Sequence, residues 1–247
     1  MEAVFEREWE VPSSMCDYDG RLGLVDTFNL FMDAATVHAL ELGCGWRQML
    51  PRDLFWLTVR TKIVFGPTET RPLMADAITL RTWPEAPDKM RCLRDYQLDW
   101  QGRTVISGKT EWAILNLKTQ RLVPAAEVYP DGLAFDREPA CPAPFVRVID
   151  DFDGVEPFAT YTVRATDIDL GGHMNNVAYL RAMLGAFPVA EQRKLDIREI
   201  DAIFRAQSFE GDVLTLQRRD VPGGMDVRLA REDKTVFLAH LACAGVR

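Results

Sequence analysis

Paired cysteines, long apolar runs and clusters of basic residues are all missing from this chain of 247 residues. Its five cysteines are far apart and form no CxxC pair, so neither a zinc site nor a redox dithiol is indicated. An odd number of isolated cysteines fits a reducing compartment. The first residues, MEAVFEREWEVPSSM, lack the apolar core of a signal peptide. We therefore expect a cytoplasmic protein.

Two classes of partner are excluded by what the sequence lacks. No uninterrupted apolar stretch is long enough to cross a bilayer. The net charge of −8 and the pI near 5.0 disfavour nucleic acid and anionic membranes, and no basic cluster alternates with aromatic residues. What remains is an ordinary globular composition, with 47% hydrophobic and 27% charged residues. The length suffices for two domains that fold without disulfides or metals.

A proline-rich, aperiodic stretch divides the chain near its middle. Between Val123 and Phe158 the sequence reads PAAEVYPDGLAFDREPACPAPFVRVIDDFDGVEP. Proline supplies no ladder N–H and biases the preceding residue toward extended conformations, so a linker along the surface is expected. We predict an N-terminal domain at 1–125, a linker at 126–157 and a C-terminal domain at 158–247.

Each half of the chain shows a helical pattern followed by several strand-like runs. In the first half, FNLFMDAATVHALELG at 28–43 has helical spacing, with Asp26 or Thr27 as N-cap and Gly43 as the C-terminal stop. The runs after it are LFWLTVRTKIVF, DAITLRTW, CLRDYQLDW and TVISGKTEWAILNL.

The second half repeats this order. It has the short run TYTVRA, a polar loop, a helix through Ala186, and then IREIDAIFRA, DVLTLQRR, MDVRLAR and TVFLAHLACAGV. The pattern predicts an α+β fold of two tandem domains, each with a long helix wrapped by an antiparallel sheet. The two sheets are expected to join edge to edge, which would shield one edge of each.

A short acidic signature precedes the helix in both halves. Asp17-Tyr18-Asp19 and Asp167-Ile168-Asp169 are offset by 150 residues, from 17 to 167, which indicates a diverged internal duplication. The pairs made by this offset are Gly23 with His173, Val25 with Asn175, and Asp26 with Asn176. The first copy lacks the histidine and the asparagines, so we expect a single active site in the second half.

The loop DIDLGGHMNNVAYLRAML at 167–184 has two interpretations. It can be a helix cap, with Asn175 or Asn176 capping and the glycines making the turn. That leaves His173 and two aspartates unexplained, because a cap needs one short polar residue. Alternatively it is a hydrolytic site: Asp169 orients or deprotonates a water, His173 polarises it or shuttles a proton, and the helix N-terminus near Gly172 polarises a carbonyl.

Other chemistries fit this loop less well. Asp-x-Asp with a single histidine, and no distant carboxylate cluster of clear spacing, argues against a metal site, so neither metal nor cofactor is expected. No GxSxG elbow occurs and no cysteine stands in an activating context. His38 is expected to be a packing or surface residue. The tryptophans expected to fill cores or line an internal tunnel are Trp56, Trp83, Trp100 and Trp112.

The pattern Asp-x-Asp-x-x-Gly-His-x-Asn-Asn-x-x-Tyr, from Asp167 to Tyr179, resembles the motif of hot-dog-fold thioesterases. The acyl-acyl carrier protein thioesterases of plants and bacteria look closest, since FMDAATVHALELG, FWLTVRTKIVF and ITLRTWP in the first half also resemble theirs. The resemblance implies a double hot-dog fold that hydrolyses a fatty acyl thioester on acyl carrier protein, in fatty acid biosynthesis. It also implies that the acyl chain lies largely in the N-terminal half and the chemistry in the C-terminal half.

The resemblance assigns residues by position. Asp169 matches the catalytic aspartate, His173 the catalytic histidine, and Asn175 and Asn176 the asparagines that follow. The full expected site has Asp169, His173, Asn175 and Gln207 as catalytic residues, and Gly171, Gly172, Asn176 and Ser208 as substrate contacts.

Two positions depart from the family pattern. Gly171 stands where the plant members have an asparagine. Gln207 and Ser208 stand where those members have a glutamate and a cysteine on the strand after the helix. A glutamine orients water through its amide but cannot act as a base, which leaves that role to Asp169.

The expected partner is acyl carrier protein with a fatty acyl chain, or acyl-coenzyme A, and a homodimer is possible. The basic residues that would face an acidic carrier are Arg193, Lys194, Arg198 and Arg205. Alternatives are an acyl-coenzyme A thioesterase and a non-catalytic acyl-binding protein with a decayed site. An enoyl-thioester hydratase ranks behind them, because it would need Asp-x-Asn-Pro-x-His and no such proline is present.

Overall fold

The structure, a computed structural model, describes residues 3–244. The chain divides into two compact units: residues 1–66 with 70–143, and residues 67–69 with 144–247. The stretch predicted as a linker, residues 126–157, therefore contributes residues to both units. The predicted domain ends at 125 and 158 stay predictions. Among the described residues, no helix is both long and apolar enough to span a membrane.

In the first unit an antiparallel sheet packs on one long helix. The strands are β1 (Phe5–Glu10), β2 (Leu54–Phe65), β3 (Ala77–Pro84), β4 (Cys92–Trp100), β5 (Arg103–Asn116) and β6 (Arg121–Val123), and the helices are α1 (Leu24–Glu41) and α2 (Trp46–Met49). The spatial order is β1-β3-β4-β5-β2, with β6 paired to β5. Phe31 of α1 stacks on Tyr96 of β4 with ring centroids 4.6 Å apart. Gly108 of β5 permits this contact, because a Cβ there would lie 2.8 Å from the Phe31 ring.

The second unit repeats the plan with a shorter helix. Its strands are β7 (Ala159–Thr162), β8 (Ile197–Phe204), β9 (Val213–Val221), β10 (Gly224–Arg231) and β11 (Lys234–Cys243), and its helices are α3 (Asn176–Gly185) and α4 (Val189–Leu195). The order is β8-β11-β10-β9-β7, antiparallel throughout. Tyr179 of α3 stacks on Phe237 of β11 at 5.6 Å, so the helix lies on one face of the sheet.

The start of α1 differs from the prediction. Gly23 rather than Asp26 or Thr27 is the N-cap residue, and the helix begins at Leu24. Thr27 already lies within the first turn, because both its amide and its hydroxyl donate to the Gly23 carbonyl at 2.9 Å. The predicted stop at Gly43 is confirmed: its amide donates to Leu40 O and its φ of +75° is the left-handed value that glycine adopts without strain.

The proline-rich stretch is more buried than a surface linker would be. From 128 to 158, all within the described part of the chain, it contains no helix or strand. Its apolar residues nevertheless enter the cores, Val128 and Leu133 in the first unit and Val148 and Phe152 in the second. This burial offsets the lack of ladder hydrogen bonds, because each apolar side chain removed from water contributes about 1.5–3 kcal/mol.

Candidate active site

The site is built on a tight turn that immediately precedes α3. A short antiparallel bridge joins Ile168 to Met174. Inside it, the Asp169 amide donates to His173 O at 3.0 Å, and the Gly172 amide donates to Asp169 O at 3.0 Å. Gly172 has a φ of +76°, a conformation that glycine alone adopts freely. The turn thus fixes the backbone on both sides of Asp169 and His173.

Asp169 and His173 face each other across this turn. His173 Nδ1 lies 3.8 Å from Asp169 Oδ1, and the two side chains are 17% and 26% exposed. Asp169 Oδ1 accepts the Gly171 amide at 2.8 Å. A partly exposed carboxylate beside an imidazole is an arrangement that can orient and deprotonate a water molecule.

Gly171 is required by the position of His173. A Cβ atom at Gly171 would lie 2.8 Å from His173 Nε2 and 3.1 Å from Asp169 Oδ1. Any side chain at this position therefore pushes the imidazole away or moves the turn. Gly171, which departs by position from the thioesterase motif that the loop resembles, thus leaves room for the histidine.

Asp167, the first aspartate of the motif, lies beneath the site and is buried. Its Oδ2 accepts the Tyr161 hydroxyl at 2.7 Å and the Arg164 amide at 2.9 Å, and its carbonyl accepts the Asn175 amide at 2.8 Å. Burial and this hydrogen bond to Asp167 raise the pKa of Tyr161 to about 12, so the phenol keeps its proton and stays a donor. The role of Asp167 is to fix the turn.

Asn175 and Asn176 have different positions. Asn175 is the N-cap of α3: its Oδ1 accepts the Val177 amide at 2.8 Å. The capping interpretation is confirmed for this residue, whose catalytic role stays a prediction. Asn176 is the first helical residue. Its backbone amide has no acceptor among the described residues, whereas the amides of Gly171, Gly172, Met174 and Asn175 all donate within the protein.

Gln207 and Ser208 lie in the loop after β8 rather than on the strand. The Ser208 carbonyl accepts the Met174 amide at 2.8 Å, which ties this loop to the turn that carries Asp169 and His173, and the Ser208 side chain is fully buried. Gln207 is exposed, and its side chain makes no hydrogen bond within residues 3–244. The structure therefore brings Ser208 to the turn through its backbone and leaves the Gln207 side chain exposed.

The first unit contains a second copy of this turn. Cys16 bridges to Leu22, the Asp17 amide donates to Arg21 O at 2.7 Å, and the Gly20 amide donates to Asp17 O at 3.0 Å. Asp17 Oδ1 accepts the Asp19 amide at 2.9 Å, as Asp169 Oδ1 accepts that of Gly171. The sequence does not reveal this match, because the equivalence appears only in the backbone hydrogen bonds.

This copy corrects the predicted offset. The hydrogen bonds of the two turns coincide when residue 17 is matched with residue 169, which is an offset of 152 residues and not 150. The true pairs are Asp17 with Asp169, Arg21 with His173, Asp19 with Gly171, and Gly23 with Asn175. The first copy thus keeps the aspartate and has arginine in place of the histidine.

Three other expectations from the sequence concern His38, a metal site and the basic patch. His38 is buried in α1 and its Nδ1 lies 2.9 Å from Arg94 Nη1, so the prediction that it is a packing residue is confirmed. Within the described range, no group of three or more histidine, cysteine or acidic side chains is arranged to hold a metal ion. Arg198 of the expected basic patch is bound to Asp196, with Nε 3.0 Å from Oδ2.

A helix wrapped by an antiparallel sheet, made twice, with an Asp–His turn before the second helix, defines a double hot-dog protein of the thioesterase class. Family models for the N-terminal and C-terminal domains of acyl-acyl carrier protein thioesterases match residues 2–132 and 153–236. The chain belongs to the acyl-acyl carrier protein thioesterase family.

Solved structures agree with this fold. A thioesterase from Bacteroides thetaiotaomicron matches with a TM-score of 0.81 at 21% identity over 97% of both chains. The 12:0-acyl carrier protein thioesterase of Umbellularia californica matches with a TM-score of 0.80 at 18% identity, covering 98% of this chain and 97% of that one.

The curated relatives are longer than this chain. A chloroplastic palmitoyl-acyl carrier protein thioesterase of Arabidopsis thaliana is 24% identical over 85% of this chain and 54% of its own. A chloroplastic oleoyl-acyl carrier protein thioesterase from the same plant is 25% identical over 86% of this chain and 61% of its own. The chain thus spans little more than half the length of these relatives.

Proposed function

We propose that this protein hydrolyses the thioester of fatty acyl-acyl carrier protein and releases a free fatty acid. The observation that carries the proposal is the facing pair of Asp169 and His173, whose Oδ1 and Nδ1 atoms are 3.8 Å apart on a turn fixed by glycines. Family membership and the names of the curated relatives support the choice of substrate.

The chemistry needs a water molecule but no covalent enzyme intermediate. Asp169 Oδ1 is held by the Gly171 amide, while Oδ2 accepts no hydrogen bond from a described residue and is therefore available to a water molecule. The water oxygen attacks the thioester carbonyl carbon as Asp169 takes its proton, and His173 assists by polarising the water or passing the proton on. The carbon–sulfur bond then breaks, and the carrier thiolate leaves with that proton as a thiol.

The carbonyl oxygen needs a hydrogen-bond donor as negative charge develops on it. The Gly172 amide is unsuitable because it already donates to Asp169 O. We assign this role to the Asn176 amide, the first of α3, where the partial positive charge of the helix N-terminus adds to the hydrogen bond. Asn175 holds the helix start in place through its cap. In the β8–β9 loop, which the Met174–Ser208 hydrogen bond ties to this turn, Ser208 is buried and Gln207 is exposed.

Acyl carrier protein is the proposed partner, with acyl-coenzyme A as the rival carrier. Lys194 and Arg205 are exposed, whereas Arg198 is engaged by Asp196. This weakens the predicted basic patch as a single docking surface.

The five free cysteines, four of them buried, fit a reducing cytoplasm as the compartment in which the protein works. Analytical ultracentrifugation would measure the oligomeric state.

The deciding experiment follows thiol release from acyl carrier protein and from coenzyme A, each with medium-chain and long-chain saturated acyl groups. Wild type is compared with Asp169→Asn and His173→Ala, and with Asp220→Asn as a surface control. We expect release that is faster from the carrier protein and that falls about a thousandfold in Asp169→Asn. Retained acyl binding without release from any substrate would instead indicate a non-catalytic acyl-binding protein.

A further inference from the structure

The loop that follows β8 is built like the loop that follows β2. Each loop accepts an amide of the neighbouring turn through a backbone carbonyl at 2.8 Å, and the two donor–acceptor pairs are Leu22 with Pro72 and Met174 with Ser208. The next residue, Leu73 in one loop and Phe209 in the other, donates its amide to an aspartate three residues later, at 2.7 and 2.8 Å. Leu73 is therefore the counterpart of Phe209. By the offset of 152 residues between the turns, Tyr18 is the counterpart of Leu170.

Each unit exposes two large apolar side chains at these two positions. Tyr18 and Leu73 are 40% and 42% exposed, and Leu170 and Phe209 are 73% and 46% exposed. Single exposed apolar residues are ordinary on protein surfaces, whereas a repeated pair on two loops that are hydrogen-bonded to each other indicates an interaction site. Leu170 directly follows Asp169, so a carrier that brings a thioester to that carboxylate passes beside the second pair.

Exposed cations accompany the pair in the second unit. Three exposed arginines there make no ion pair with any residue in 3–244, and they are Arg164, Arg181 and Arg205. Arg164 follows Val163, which exchanges backbone hydrogen bonds with Gly211 and Asp212 of the loop that carries Phe209. Arg205 begins the same loop.

The third arginine lies near the first. Burial and the hydrogen bond to Asp167 raise the pKa of Tyr161 to about 12, and the charges of Arg181 and Arg164 both act against this rise. Both guanidinium groups are therefore close to the phenol that supports the Asp169–His173 turn. One exposed carboxylate, Glu210, stands next to Phe209.

The first unit has no charged residue at the positions of these three arginines. Equivalent backbone hydrogen bonds and helix starts match them with Pro12, Asn29 and Gly66. The arginines of the first turn are engaged inside it, because Arg21 Nη1 donates to Arg71 O at 2.7 Å and Arg71 pairs with Asp17. The apolar pair is thus common to both units, whereas the free cations surround only the pair beside Asp169.

We propose that this surface of the second unit docks an acidic carrier protein, with Leu170 and Phe209 at its apolar centre and the three arginines around them. The identity of the carrier rests on the proposed function. The net charge of −8 repels an acidic partner from most of the surface, so local cations decide where it binds. An apolar centre with a charged border is the usual composition of a protein–protein interface.

Two carriers of one acyl group test this proposal. The same medium-chain acyl group is attached to acyl carrier protein and to pantetheine, which supplies the thiol arm without phosphate or protein. Wild type is compared with Leu170→Ser, with Phe209→Ser and with a triple variant that combines Arg164→Gln, Arg181→Gln and Arg205→Gln. We expect each variant to raise KM for the carrier-protein substrate about tenfold at unchanged kcat, and to leave kcat/KM for acyl-pantetheine within about twofold.

The duplication supplies matched controls. Tyr18→Ser and Leu73→Ser remove the equivalent apolar side chains of the first unit, and Lys234→Gln removes an exposed charge at the β10–β11 hairpin. All three should keep the wild-type KM. Glu210→Gln should lower KM for the carrier-protein substrate, a gain that misfolding cannot produce. Equal losses with acyl-pantetheine, or losses of the same size in the first-unit controls, would overturn the proposal.

Binding without turnover separates this proposal from the proposed function. Holo-acyl carrier protein, with its thiol arm and no acyl group, is titrated by calorimetry into wild type, Phe209→Ser and the triple arginine variant at low and high salt. Binding that weakens in both variants, and that loses its salt dependence in the arginine variant, supports the docking surface even if no thioester is cleaved.

The opposite results are equally distinct. Thioester hydrolysis, together with carrier binding that is absent or that neither variant changes, would leave the proposed function standing and overturn the docking surface. Coenzyme A is titrated in parallel. If the arginine substitutions weakened its binding as much as that of the carrier protein, these cations would belong to a phosphate site and the proposal would fail.

Discussion

Arg71 Nη1 binds Asp17 Oδ2 at 2.8 Å, and this ion pair occupies the turn in the first unit that corresponds to the Asp169–His173 turn of the second. Arg71 is buried, and the same Nη1 also donates to Leu22 O at 2.8 Å. Asp169, at the equivalent position, has no arginine partner among residues 3–244 and faces His173 instead. One aspartate position therefore carries a structural ion pair in one copy and a carboxylate available to water in the other.

This contrast predicts opposite effects of the same substitution in the two turns. Asp17→Asn removes one member of a largely buried ion pair, so the free energy of unfolding should fall by about 2 kcal/mol while kcat of the remaining folded protein stays near wild type. Asp169→Asn should leave stability within about 0.5 kcal/mol and lower kcat about a thousandfold. Urea unfolding and thiol release measured on both variants check this, and loss of kcat in Asp17→Asn at full stability would contradict it.

Most strands could be predicted from the sequence, because the residues that enter the core alternate along them and turn residues separate them. The runs predicted at LFWLTVRTKIVF and CLRDYQLDW coincide with β2 and β4. The hairpin after β4 follows from Gln101 and Gly102, whose φ values of +51° and +72° suit a two-residue turn. The last residues of the run TVFLAHLACAGV lie outside the described part of the chain.

An element that is held in place mainly by backbone hydrogen bonds shows no such alternation of buried residues in its sequence. β1 has the sequence FEREWE, and only Phe5 of it is buried. It is held by pairing with β3, which a sequence of alternating charges does not indicate. The offset of the duplication was wrong for a related reason. Asp-x-Asp occurs at 17–19 and at 167–169, so matching the motif gives 150 residues, whereas the hydrogen bonds of the turn require 152.

The site could be predicted as a group of residues, but not the separate role of each. The motif identified Asp169 and His173, which the structure brings together. It did not distinguish the buried Asp167, whose carboxylate accepts the Tyr161 hydroxyl, from the partly exposed Asp169 two residues later. Nor did it indicate that Arg94 of β4 is buried and donates to His38 and Thr82, because a lone arginine within a strand pattern has no sequence signal for burial.

Substitution of Gly171 should lower activity without unfolding the protein. In Gly171→Ala the new Cβ would lie 2.8 Å from His173 Nε2, so the imidazole must move by several tenths of an ångström or more. A displacement of that order costs about tenfold to a hundredfold in kcat. Gly185→Ala is the matched control, since a Cβ there meets nothing within 4 Å, and it should keep full activity and gain up to about 1 kcal/mol of stability. Equal kcat in Gly171→Ala and wild type would show that the imidazole position is unimportant.

The cap of α3 should contribute to stability through one side-chain oxygen. Asn175 Oδ1 accepts the Val177 amide, and removing this acceptor in Asn175→Ala should lower the free energy of unfolding by about 1 kcal/mol. Asn175→Asp and Asn175→Ser keep an acceptor and should retain most of it. Thermal unfolding followed by circular dichroism gives the comparison. If the serine variant were as unstable as the alanine variant, the cap would not be the source of the effect.

Asp95 should make stability depend on pH in the direction opposite to that of a salt-bridged acid. Burial raises its pKa to about 7, helped by the neighbouring carboxylate of Glu85, although the amides of Ala140 and Cys141 donate to Oδ1 and act against the shift. An unfolded aspartate has a pKa near 3.9. Between about pH 4 and 7 the folded chain therefore binds more protons than the unfolded chain at this residue.

The contribution of Asp95 to stability is thus full below about pH 4, falls as the pH rises to about 7, and is constant above that. Asp95→Asn keeps an oxygen that accepts the two amides but cannot ionise. The difference in free energy of unfolding between this variant and wild type should therefore grow in favour of the variant from pH 4 to 7 and then level off. Urea unfolding at several pH values measures it, and Glu85→Gln should reduce the same slope in part, because it removes the neighbouring charge. A difference that stays constant across the range would show that Asp95 ionises normally in the folded protein.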